Sequence, residues 1–380
     1  MSETWRYVDC GLVDAYTNAA QLPVLIRSML AQSRPLVMTS AWGATHLNVG
    51  WFDDVDSTLD LEACRRLGVQ VVRRQSYGGG TAFYDEGCAV MWTFILPKEG
   101  HEDMDAELAR FQPVLLDTLG RLDLGAVAFE GSSDLRFEGR KLGALAAQDL
   151  MVCLSIGGFL NVAPPDIDLY LKVVRIPEEK FRDKVVKDLR EYVATAEDVR
   201  GRPLGYQEFQ EAFLAALGAS GITVSEEPLG DGELRGLAKV AAKVSSDEAL
   251  RRVSSERFAE MAPEGSRVGF GNHKGRKLCR AGVALDAGSK VIAAMLAGDM
   301  HVSPPDVMDR VAAALVGADV GGDLDVFEPD LRQRIAGVFE APEVHQAEAS
   351  MGVTTEDLLA AVEKAVADAL PSSPKGGPRG

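Results

Sequence analysis

The stretch RRQSYGGGTAFYDEG at residues 73–87 decides how this chain is interpreted. It follows the apolar run VQVV at 69–72, which predicts a strand, and Gly78, Gly79 and Gly80 lie at its centre. Because glycine has no side chain, such a turn lets the backbone approach a ligand closely. It is not a Walker loop, since no Gly-Lys-Ser/Thr follows, and no helix opens there as a dinucleotide fingerprint requires. A glycine cluster alone usually marks a turn, so its flanks must decide.

A second informative stretch is DLRFEGRKLGALAAQ at residues 134–148. Residues 134–137 alternate between polar and apolar, and Glu138-Gly139 predicts a tight turn, so Lys141 falls on the returning strand of a hairpin. A single lysine in such a place is usually a solvated surface charge. A fixed ammonium can also offset the repulsion between a carboxylate and a phosphate as they react. The hairpin therefore offers a candidate for electrostatic catalysis.

Composition and charge exclude several classes of protein. The net charge of −17 argues against a general nucleic-acid binder, because phosphate contacts need a surplus of Lys and Arg. The most apolar stretch, residues 151–163, is too short to span a membrane and predicts a buried strand and turn. The first residues show no signal peptide. The five cysteines are scattered and show no metal-binding spacing, so we expect reduced thiols in a cytoplasmic protein.

The glycine segment resembles the signature of the lipoate–protein ligase family, which is an Arg-Arg pair, three glycines, and His-Asp-x-Gly. Arg74, the three glycines, Tyr84-Asp85 and Gly87 carry the resemblance, and the spacing from the glycines to Asp85 needs no gap. Two departures stand out. The family's histidine is Tyr84 here, and its second arginine is Gln75 on an ungapped alignment. A one-residue insertion would restore Arg73-Arg74, which leaves the arginine assignment open.

The hairpin is similar to the one on which this family presents its catalytic lysine, and Lys141 occupies that position. The family's Asn before Asp134 is Ser133 in this chain. The residues after the lysine, 142–146, also depart from the family's usual Gly-Ser-Ala or Gly-Asn-Ala. Since all the departures fall near the presumed pocket, they leave open whether activity is kept or altered.

The resemblance also covers the C-terminal part of the chain, where His273-Lys274, Lys277-Leu278 and Gly298-Asp299 match the family's accessory domain. It implies an α+β (mixed α/β) fold, with a biotin/lipoate protein ligase-like catalytic domain and a smaller α+β accessory domain. We place the catalytic domain at 1–250, the accessory domain at 262–369 and a flexible tail at 370–380. The boundary should fall near 245–265, and the glycine-rich EGSRVGFGNHKG at 264–275 is expected to be a loop.

The function that the resemblance implies is an ATP- and Mg²⁺-dependent ligase. It would activate free lipoate as lipoyl-AMP and pass the acyl group to a lysine of a lipoyl acceptor domain or protein, without nucleic acid or membrane partners. The implied roles are electrostatic catalysis by Lys141, backbone approach to the acyl and nucleotide pocket by Gly78, Gly79 and Gly80, pairing of Arg74 with phosphate or carboxylate, orientation of the loop by Asp85 beside Tyr84 and Gly87, and Mg²⁺ contact by Asp134.

Two alternatives remain open at this stage. One is a non-catalytic relative that binds a lipoyl protein or an acyl adenylate. The other is a ligase for octanoate or another medium-chain acid. A thioester route is discounted, because no cysteine occupies residues 89–140, the region in which acyl-transferring relatives carry theirs. The histidines at 46, 101, 301 and 345 have no metal-ligand spacing and are expected to be surface or core residues.

Overall fold

The computed structural model describes residues 4–74, 80–98, 104–131, 133–150, 152–175, 191–300, 302–346 and 352–370. Contacts divide the chain into two compact units. The first unit comprises Met1–Leu47, Glu62–Val72 and Phe83–Ser245, and the second comprises Asn48–Leu61, Arg73–Ala82 and Ser246–Gly380.

The strands are β1 (Trp5–Val13), β2 (Leu36–Trp42), β3 (His46–Val49), β4 (Gln70–Arg73), β5 (Ala82–Tyr84), β6 (Ala89–Pro97), β7 (Ala128–Glu130), β8 (Asp134–Phe137), β9 (Arg140–Asp149), β10 (Cys153–Asn161), β11 (Val224–Glu226), β12 (Arg267–Lys274), β13 (Leu278–Leu285), β14 (Val291–Gly298), β15 (Val302–Ser303) and β16 (His345–Gln346).

The helices are α1 (Ala15–Gln32), α2 (Val55–Thr58), α3 (Leu61–Leu67), α4 (Met104–Arg121), α5 (Ile167–Val173), α6 (Ala196–Arg200), α7 (Tyr206–Ala219), α8 (Asp231–Val244), α9 (Asp247–Leu250), α10 (Ser255–Met261), α11 (Val307–Leu315), α12 (Leu324–Phe339) and α13 (Thr355–Ala369).

The first unit is built on an eight-stranded sheet of order β11-β1-β2-β6-β10-β9-β8-β7. Strand β1 pairs in parallel with β11 and β2, and the pairs from β2 to β7 are antiparallel. The central strand β6 is apolar except for Thr93, because alternate side chains enter cores on opposite faces. Phe94 joins the cluster formed with α4 and α7, and Ile95 joins the cluster formed with α1. The apolar run AVMWTFIL at residues 89–96 predicts a strand covered on both faces, and the structure confirms it.

The sequence around residues 209–217 has an apolar residue at every fourth position, which predicts a helix, and α7 forms there. Phe209, Phe213 and Leu217 lie four residues apart and are all buried against the sheet, with Phe209 and Phe213 stacked at 5.6 Å. A second run with apolar residues at 181, 185, 189 and 193 also predicts a helix, but it falls largely on residues 176–190, outside the described part of the chain. A further three-stranded sheet has the order β4-β3-β5, and it contains the strand predicted at residues 69–72.

The second unit is an α+β fold around the antiparallel sheet β12-β13-β14. Helix α13 packs on β12 and β13, and α11 packs on β14. The apolar faces of α11, α12 and α13 supply most of the core, and Phe52 is buried in the same cluster. The smaller α+β domain expected in this region is therefore present as a compact unit with its own core.

The expectation of a loop at 264–275 is wrong, because residues 267–274 form β12. Its glycines obscured the strand pattern for a packing reason. A β-carbon at Gly269 or Gly271 would collide with the backbone of α13 at Ala365 or Ala361. The strand therefore lacks side chains where the helix lies against it, and the sequence shows no alternation there.

The division into units differs from a single boundary near residue 250. The second unit begins its last segment at Ser246, inside the predicted boundary region, but it also includes Asn48–Leu61 and Arg73–Ala82. Tertiary contacts cause the difference, since Phe52 enters the second core and Arg73 binds backbone carbonyls at 250 and 253. Contacts between residues so distant in sequence leave no local pattern from which to predict them.

Candidate active site

The hairpin that carries Lys141 forms as predicted. Strands β8 and β9 are joined by Glu138 and Gly139, which both have positive φ angles of 49° and 77°. Two such residues in succession suit the two-residue turn of a twisted hairpin. The pairing shifts between Leu135 and Arg136, which face Gly143 and Lys141 respectively. Such a bulge re-aims the side chains beside it.

The ammonium of Lys141 is fixed by a carboxylate on the paired strand. Its Nζ lies 2.8 Å from Oδ1 of Asp134, and the two side chains are 24% and 23% exposed. The backbone is held as well, since the carbonyl of Lys141 accepts a hydrogen bond of 2.9 Å from the amide of Ala194. The structure therefore brings together two of the predicted site residues, and it leaves the ammonium partly accessible to a ligand.

The predicted Mg²⁺ contact at Asp134 has a crowded environment. One carboxylate oxygen forms an ion pair with Lys141, and the other lies 3.1 Å from the guanidinium of Arg136. Arg136 also forms an ion pair with Glu130 at 2.6 Å. A hard cation needs several free oxygen ligands, and both oxygens of Asp134 already contact cations. No cluster of three or more potential metal-binding side chains occurs within the described ranges. These residues do not fit a metal ion in this arrangement. The contact between Asp134 and Mg²⁺ stays a prediction.

The two adjacent arginines of the glycine segment have different environments. Arg73 is 1% exposed, and its guanidinium donates to the carbonyls of Gly50, Trp51, Asp53, Leu250 and Val253. Burial lowers its pKa to about 10. A guanidinium enclosed by carbonyl groups serves the fold. The open arginine assignment therefore favours Arg74 as the ligand-binding member of the pair.

Arg74 is half-buried and binds the carbonyl of Gly80 through one terminal nitrogen. Its Nε is buried and has no hydrogen-bond partner among the residues that the structure describes. Thr81, the next residue after Gly80, donates to the carboxylate of Asp53 at 2.8 Å. The structure thus joins Arg74 and Gly80, whereas Gly78 and Gly79 lie outside the described residues.

Tyr84, at the position of the family's histidine, is half-buried in an aromatic cluster of the first unit. Its ring lies 4.9 Å from that of Trp42, 5.3 Å from that of His46 and 6.3 Å from that of Phe159. These contacts fix the plane of the phenol ring. The sequence offered no reason to place a histidine from β3 against this position.

His46 is the residue that sequence reasoning missed in this region. It is fully buried, its ring lies 4.1 Å from that of Trp42, and its Nδ1 lies 3.0 Å from the carbonyl of Ala44. That carbonyl can only accept, so Nδ1 carries the proton and Nε2 is the bare nitrogen of a neutral ring. Burial lowers the pKa of His46 to about 4. Of the two expected locations, core and surface, the structure shows the core.

Asp85 is bound by the next residue of its own segment and by two other segments of the first unit. Its carboxylate accepts hydrogen bonds from the hydroxyl of Thr45, from the amide of Glu86 at 2.9 Å and from the amide of Asp166 at 3.0 Å. Gly87 follows with a φ of 70°, which favours glycine, and its amide donates 2.9 Å to the carbonyl of Trp42. These bonds are what a residue that orients a loop would make.

None of the cysteines presents a reactive thiolate. Cys64, Cys88, Cys153 and Cys279 are buried, and Cys10 is half-buried. Burial raises the pKa of the Cys88 thiol to about 11 and those of Cys10 and Cys279 to about 12. A nucleophilic cysteine needs an accessible thiolate with a lowered pKa, so these thiols suit packing. In the described part of the chain, no helix is long and apolar enough to cross a membrane.

Comparison with known proteins places these features in a family. The chain matches the family model for the lipoyl protein ligase A/B catalytic domain over residues 14–218. Among curated proteins it is similar to an octanoyltransferase LipM of Staphylococcus aureus, with 23% identity over 282 residues that cover 66% of this chain and 100% of that protein.

Two solved structures share the fold. One is LipL1 of P. falciparum in complex with lipoate, with a TM-score of 0.63 and 12% identity, over 90% of this chain and 95% of that one. The other is a lipoate-protein ligase A bound with ATP, with a TM-score of 0.52 and 16% identity, over 64% of this chain and 97% of that one. The matched domain makes up more than half of the sequence and includes the Lys141 hairpin, so the chain belongs to the lipoate–protein ligase family, whose enzymes transfer acyl groups to proteins.

Proposed function

We propose that this chain is an ATP-dependent lipoate–protein ligase that forms lipoyl-AMP and then transfers the lipoyl group to a lysine of an acceptor protein. The observation that carries the proposal is the Lys141 ammonium, fixed 2.8 Å from Asp134 and left partly exposed on its hairpin. A positive charge held in place before the reaction stabilises developing negative charge without a cost of reorganisation. A cytoplasmic location, where ATP is supplied, belongs to the same proposal.

In the first step, a carboxylate oxygen of lipoate attacks the α-phosphorus of ATP. The bond from that phosphorus to the bridging oxygen breaks, and pyrophosphate leaves with the electron pair. Both reactants are anions, so they repel as they approach, and charge accumulates on the oxygens around phosphorus. The ammonium of Lys141 offsets that charge, while Asp134 keeps it in position.

In the second step, the neutral amine of the acceptor lysine attacks the acyl carbon of lipoyl-AMP. The amide bond forms, the carbon–oxygen bond to the phosphate breaks, and AMP leaves with that oxygen while the amine's extra proton passes to solvent. Charge again develops on oxygen, so the same ammonium can stabilise both steps. The same lysine can therefore provide electrostatic stabilisation in both reactions.

Arg74 and Gly80, in the second unit, are proposed to bind an anionic group of the substrates. The Nε of Arg74 is a buried donor without a partner among the described residues, and such groups are costly unless a ligand or water satisfies them. Guanidinium groups match phosphate and carboxylate oxygens, which are the groups that ATP and lipoate present. We therefore assign Arg74 to an anionic group of the substrates, with Gly80 lining the same site.

The cysteine environments favour an adenylate over a thioester intermediate. Transfer through an acyl-thioester needs a reactive thiolate, and burial raises the pKa of Cys10, Cys88 and Cys279 well above neutrality. The remaining two, Cys64 and Cys153, are buried. Activation by ATP needs no cysteine.

The length of the chain supports the same choice. The whole LipM relative aligns with 66% of this chain, so about a third of the sequence has no counterpart in that octanoyltransferase. The second unit is a folded part of this chain with its own core. A ligase with an accessory domain accounts for both observations.

The direct experiment is intact-mass measurement of a lipoyl acceptor domain after incubation with the protein, ATP and lipoate. We expect the domain to gain the mass of one lipoyl group, only when ATP is present and only when its acceptor lysine is intact. The K141M variant serves as the catalytic control. If the acceptor never gains the lipoyl mass although the protein is folded, the proposed ligase activity is wrong, and the non-catalytic alternative takes its place.

A second candidate differs only in the acid. The named relative is an octanoyltransferase, which favours octanoate or another medium-chain acid as the acyl donor. Repeating the mass measurement with free octanoate, and with octanoyl carried as a thioester without ATP, separates the cases. ATP-dependent octanoylation at a higher kcat/KM than lipoylation would replace lipoate by octanoate. Modification from the thioester without ATP would replace the ligase by a transferase.

A further inference from the structure

Two carboxylates of the second unit lie against the glycine segment, beside residues 74, 80 and 81. Asp53 accepts a hydrogen bond of 2.8 Å from the hydroxyl of Thr81. Asp299, which follows the last residue of β14, lies over Gly80, and a β-carbon placed on that glycine would be 3.5 Å from its Cγ. The carboxylate of Asp299 therefore lies at van der Waals distance from the position that such a β-carbon would take, directly beside Gly80.

The charges in this cluster are unevenly matched. Lys277 lies 3.8 Å from one oxygen of Asp299, and the other oxygen, Oδ1, is buried with no hydrogen-bond partner in the described ranges. Burial raises the pKa of Asp53, and the negative charge of Asp299 adds to that increase. Two carboxylates that repel each other, one with an unsatisfied oxygen, lower the stability of the fold. Such an arrangement calls for a role other than stability.

We propose that Asp299 is a positioning residue for the guanidinium of Arg74, acting through Gly80. A continuous series of contacts connects Lys277 to Arg74. Lys277 lies beside Asp299, Asp299 packs on Gly80, and the carbonyl of Gly80 binds the guanidinium of Arg74. Asp53 accepts a hydrogen bond from the next residue, Thr81, and this bond restrains the position of Gly80. The inference rests on the proposed function, because it assigns Arg74 to an anionic group of the substrates.

This arrangement gives the second unit a defined task in the reaction. A carboxylate repels phosphate oxygens, so the role proposed for Asp299 is to set where the arginine donor points rather than to bind the phosphates itself. Displacement of a substrate-binding group by about 1 Å can cost on the order of 100-fold in rate. Removal of the charge of Asp299 should therefore weaken productive binding of ATP more than it changes the stability of the fold.

The test is D299N, which keeps the shape of the side chain and removes its charge. Steady-state pyrophosphate release with lipoate gives KM for ATP and kcat, and thermal unfolding gives the midpoint. We expect KM for ATP to rise about tenfold or more with a smaller fall in kcat, which is the pattern of lost substrate positioning. The matched control is D323N, since Asp323 is an exposed carboxylate of the same unit without a side-chain capping bond. It should leave KM, kcat and the midpoint unchanged.

Three further variants and one exchange measurement test the positioning role independently of any effect on folding. K277M should raise KM for ATP less than D299N, and the double variant should be no worse than D299N alone, because both act through one contact. Backbone amide hydrogen exchange at residues 80–82 should be faster in D299N than in D323N, whether or not the protein is active. Rescue by D299E to within a few-fold of the wild-type KM would support a requirement for charge.

The outcomes separate the two proposals. If the wild-type protein forms no lipoyl-AMP or octanoyl-AMP, the proposed function fails, and the hydrogen-exchange comparison still decides whether Asp299 holds Gly80. If the wild-type protein is active and D299N keeps its KM for ATP and its exchange rates at residues 80–82, the positioning role of Asp299 is overturned. A lowered midpoint with unchanged KM would also overturn it, since Asp299 would then be only a structural residue.

Discussion

Lys141 in the first unit and Arg74 in the second are two proposed functional residues that are held in different ways. Lys141 is fixed by Asp134, seven positions earlier on the paired strand of the same hairpin. Arg74 binds the carbonyl of Gly80, and Gly80 lies beside Asp299, which is far away in the sequence. The charge of Lys141 is thus held by a contact within one hairpin, whereas Arg74 and Gly80 depend on long-range packing within the second unit. Catalysis and positioning can therefore be disrupted separately.

The largest expected effect is the loss of the Lys141 charge. K141M should reduce lipoyl-AMP formation by about 10²–10³-fold, because one preorganised group near a developing anion contributes that much. Its effect on folding should be small, since a partly exposed ion pair such as Lys141–Asp134 contributes about 0–1 kcal/mol. Pyrophosphate release and thermal unfolding measure the two effects. The control is K239M, at an exposed lysine of α8. A rate for K141M close to that of the control would remove Lys141 from the mechanism.

Replacing each of the two adjacent arginines should change a different property: stability for Arg73 and substrate binding for Arg74. R73M should lower the free energy of unfolding by at least about 3 kcal/mol, because each buried carbonyl left without a donor costs about 1–3 kcal/mol. R74M should change stability little and raise KM for ATP or lipoate. Denaturant unfolding and steady-state kinetics on both variants provide the measurement. The account is contradicted if R73M is as stable as the wild type, or if R74M keeps both KM values.

The buried neutral His46 predicts a pH dependence of stability. Its pKa falls from 6.5 to about 4 on folding, so between these values the unfolded chain takes up a proton that the native state does not. Stability from this group is therefore complete above about pH 6.5 and falls as the pH is lowered towards 4, by about 3 kcal/mol in total. Carboxylates titrate in the same pH range. The contribution of His46 is therefore obtained by comparing the pH dependence of stability between variants.

The measurement is the free energy of unfolding between pH 7 and pH 4 for the wild type, H46N and H345N, since His345 is exposed. The slope should be shallower in H46N than in the other two proteins. An identical slope in all three would show that His46 titrates equally in the native and unfolded states, and its burial would then be without consequence for acid stability.

The smallest expected effect concerns the acid. Y84H places a smaller ring, which can become charged, among Trp42, His46 and Phe159. If this position borders the acyl tail, the ratio of kcat/KM for lipoate to that for octanoate should shift several-fold, with KM for ATP unchanged. Kinetics with both acids in the wild type and in Y84H decide the point. A constant ratio together with a changed unfolding midpoint would assign Tyr84 to packing alone.

The difference between the two regions also explains what the sequence could predict. The hairpin was predictable because Glu138-Gly139 determines the turn and Lys141 follows at a fixed distance. The central strand β6 and the helix α7 were predictable from apolar patterns for the same local reason. Each of these signals lies within about ten residues of the feature that it predicts.

Features that arise from distant contacts could not be predicted in this way. Arg73 and Arg74 are neighbours of the same type, and only the carbonyls at 250 and 253 distinguish the structural one from the other. The strand at 267–274 was hidden because Gly269 and Gly271 accommodate a helix nearly a hundred residues later. His46 gave no signal, since its partners Trp42 and Tyr84 meet it only in the folded sheet and cluster.

The central claim is that the acyl group is activated as an adenylate, and oxygen transfer tests it most directly. Lipoate labelled with ¹⁸O in its carboxylate is incubated with the protein, ATP and a lipoyl acceptor domain, and the AMP formed is analysed by mass spectrometry. If the carboxylate attacks the α-phosphorus, the oxygen that joins carbon to phosphorus leaves with AMP, so each AMP should carry one ¹⁸O for each acceptor modified. Acceptor modification with unlabelled AMP, or without formation of AMP, would contradict the account.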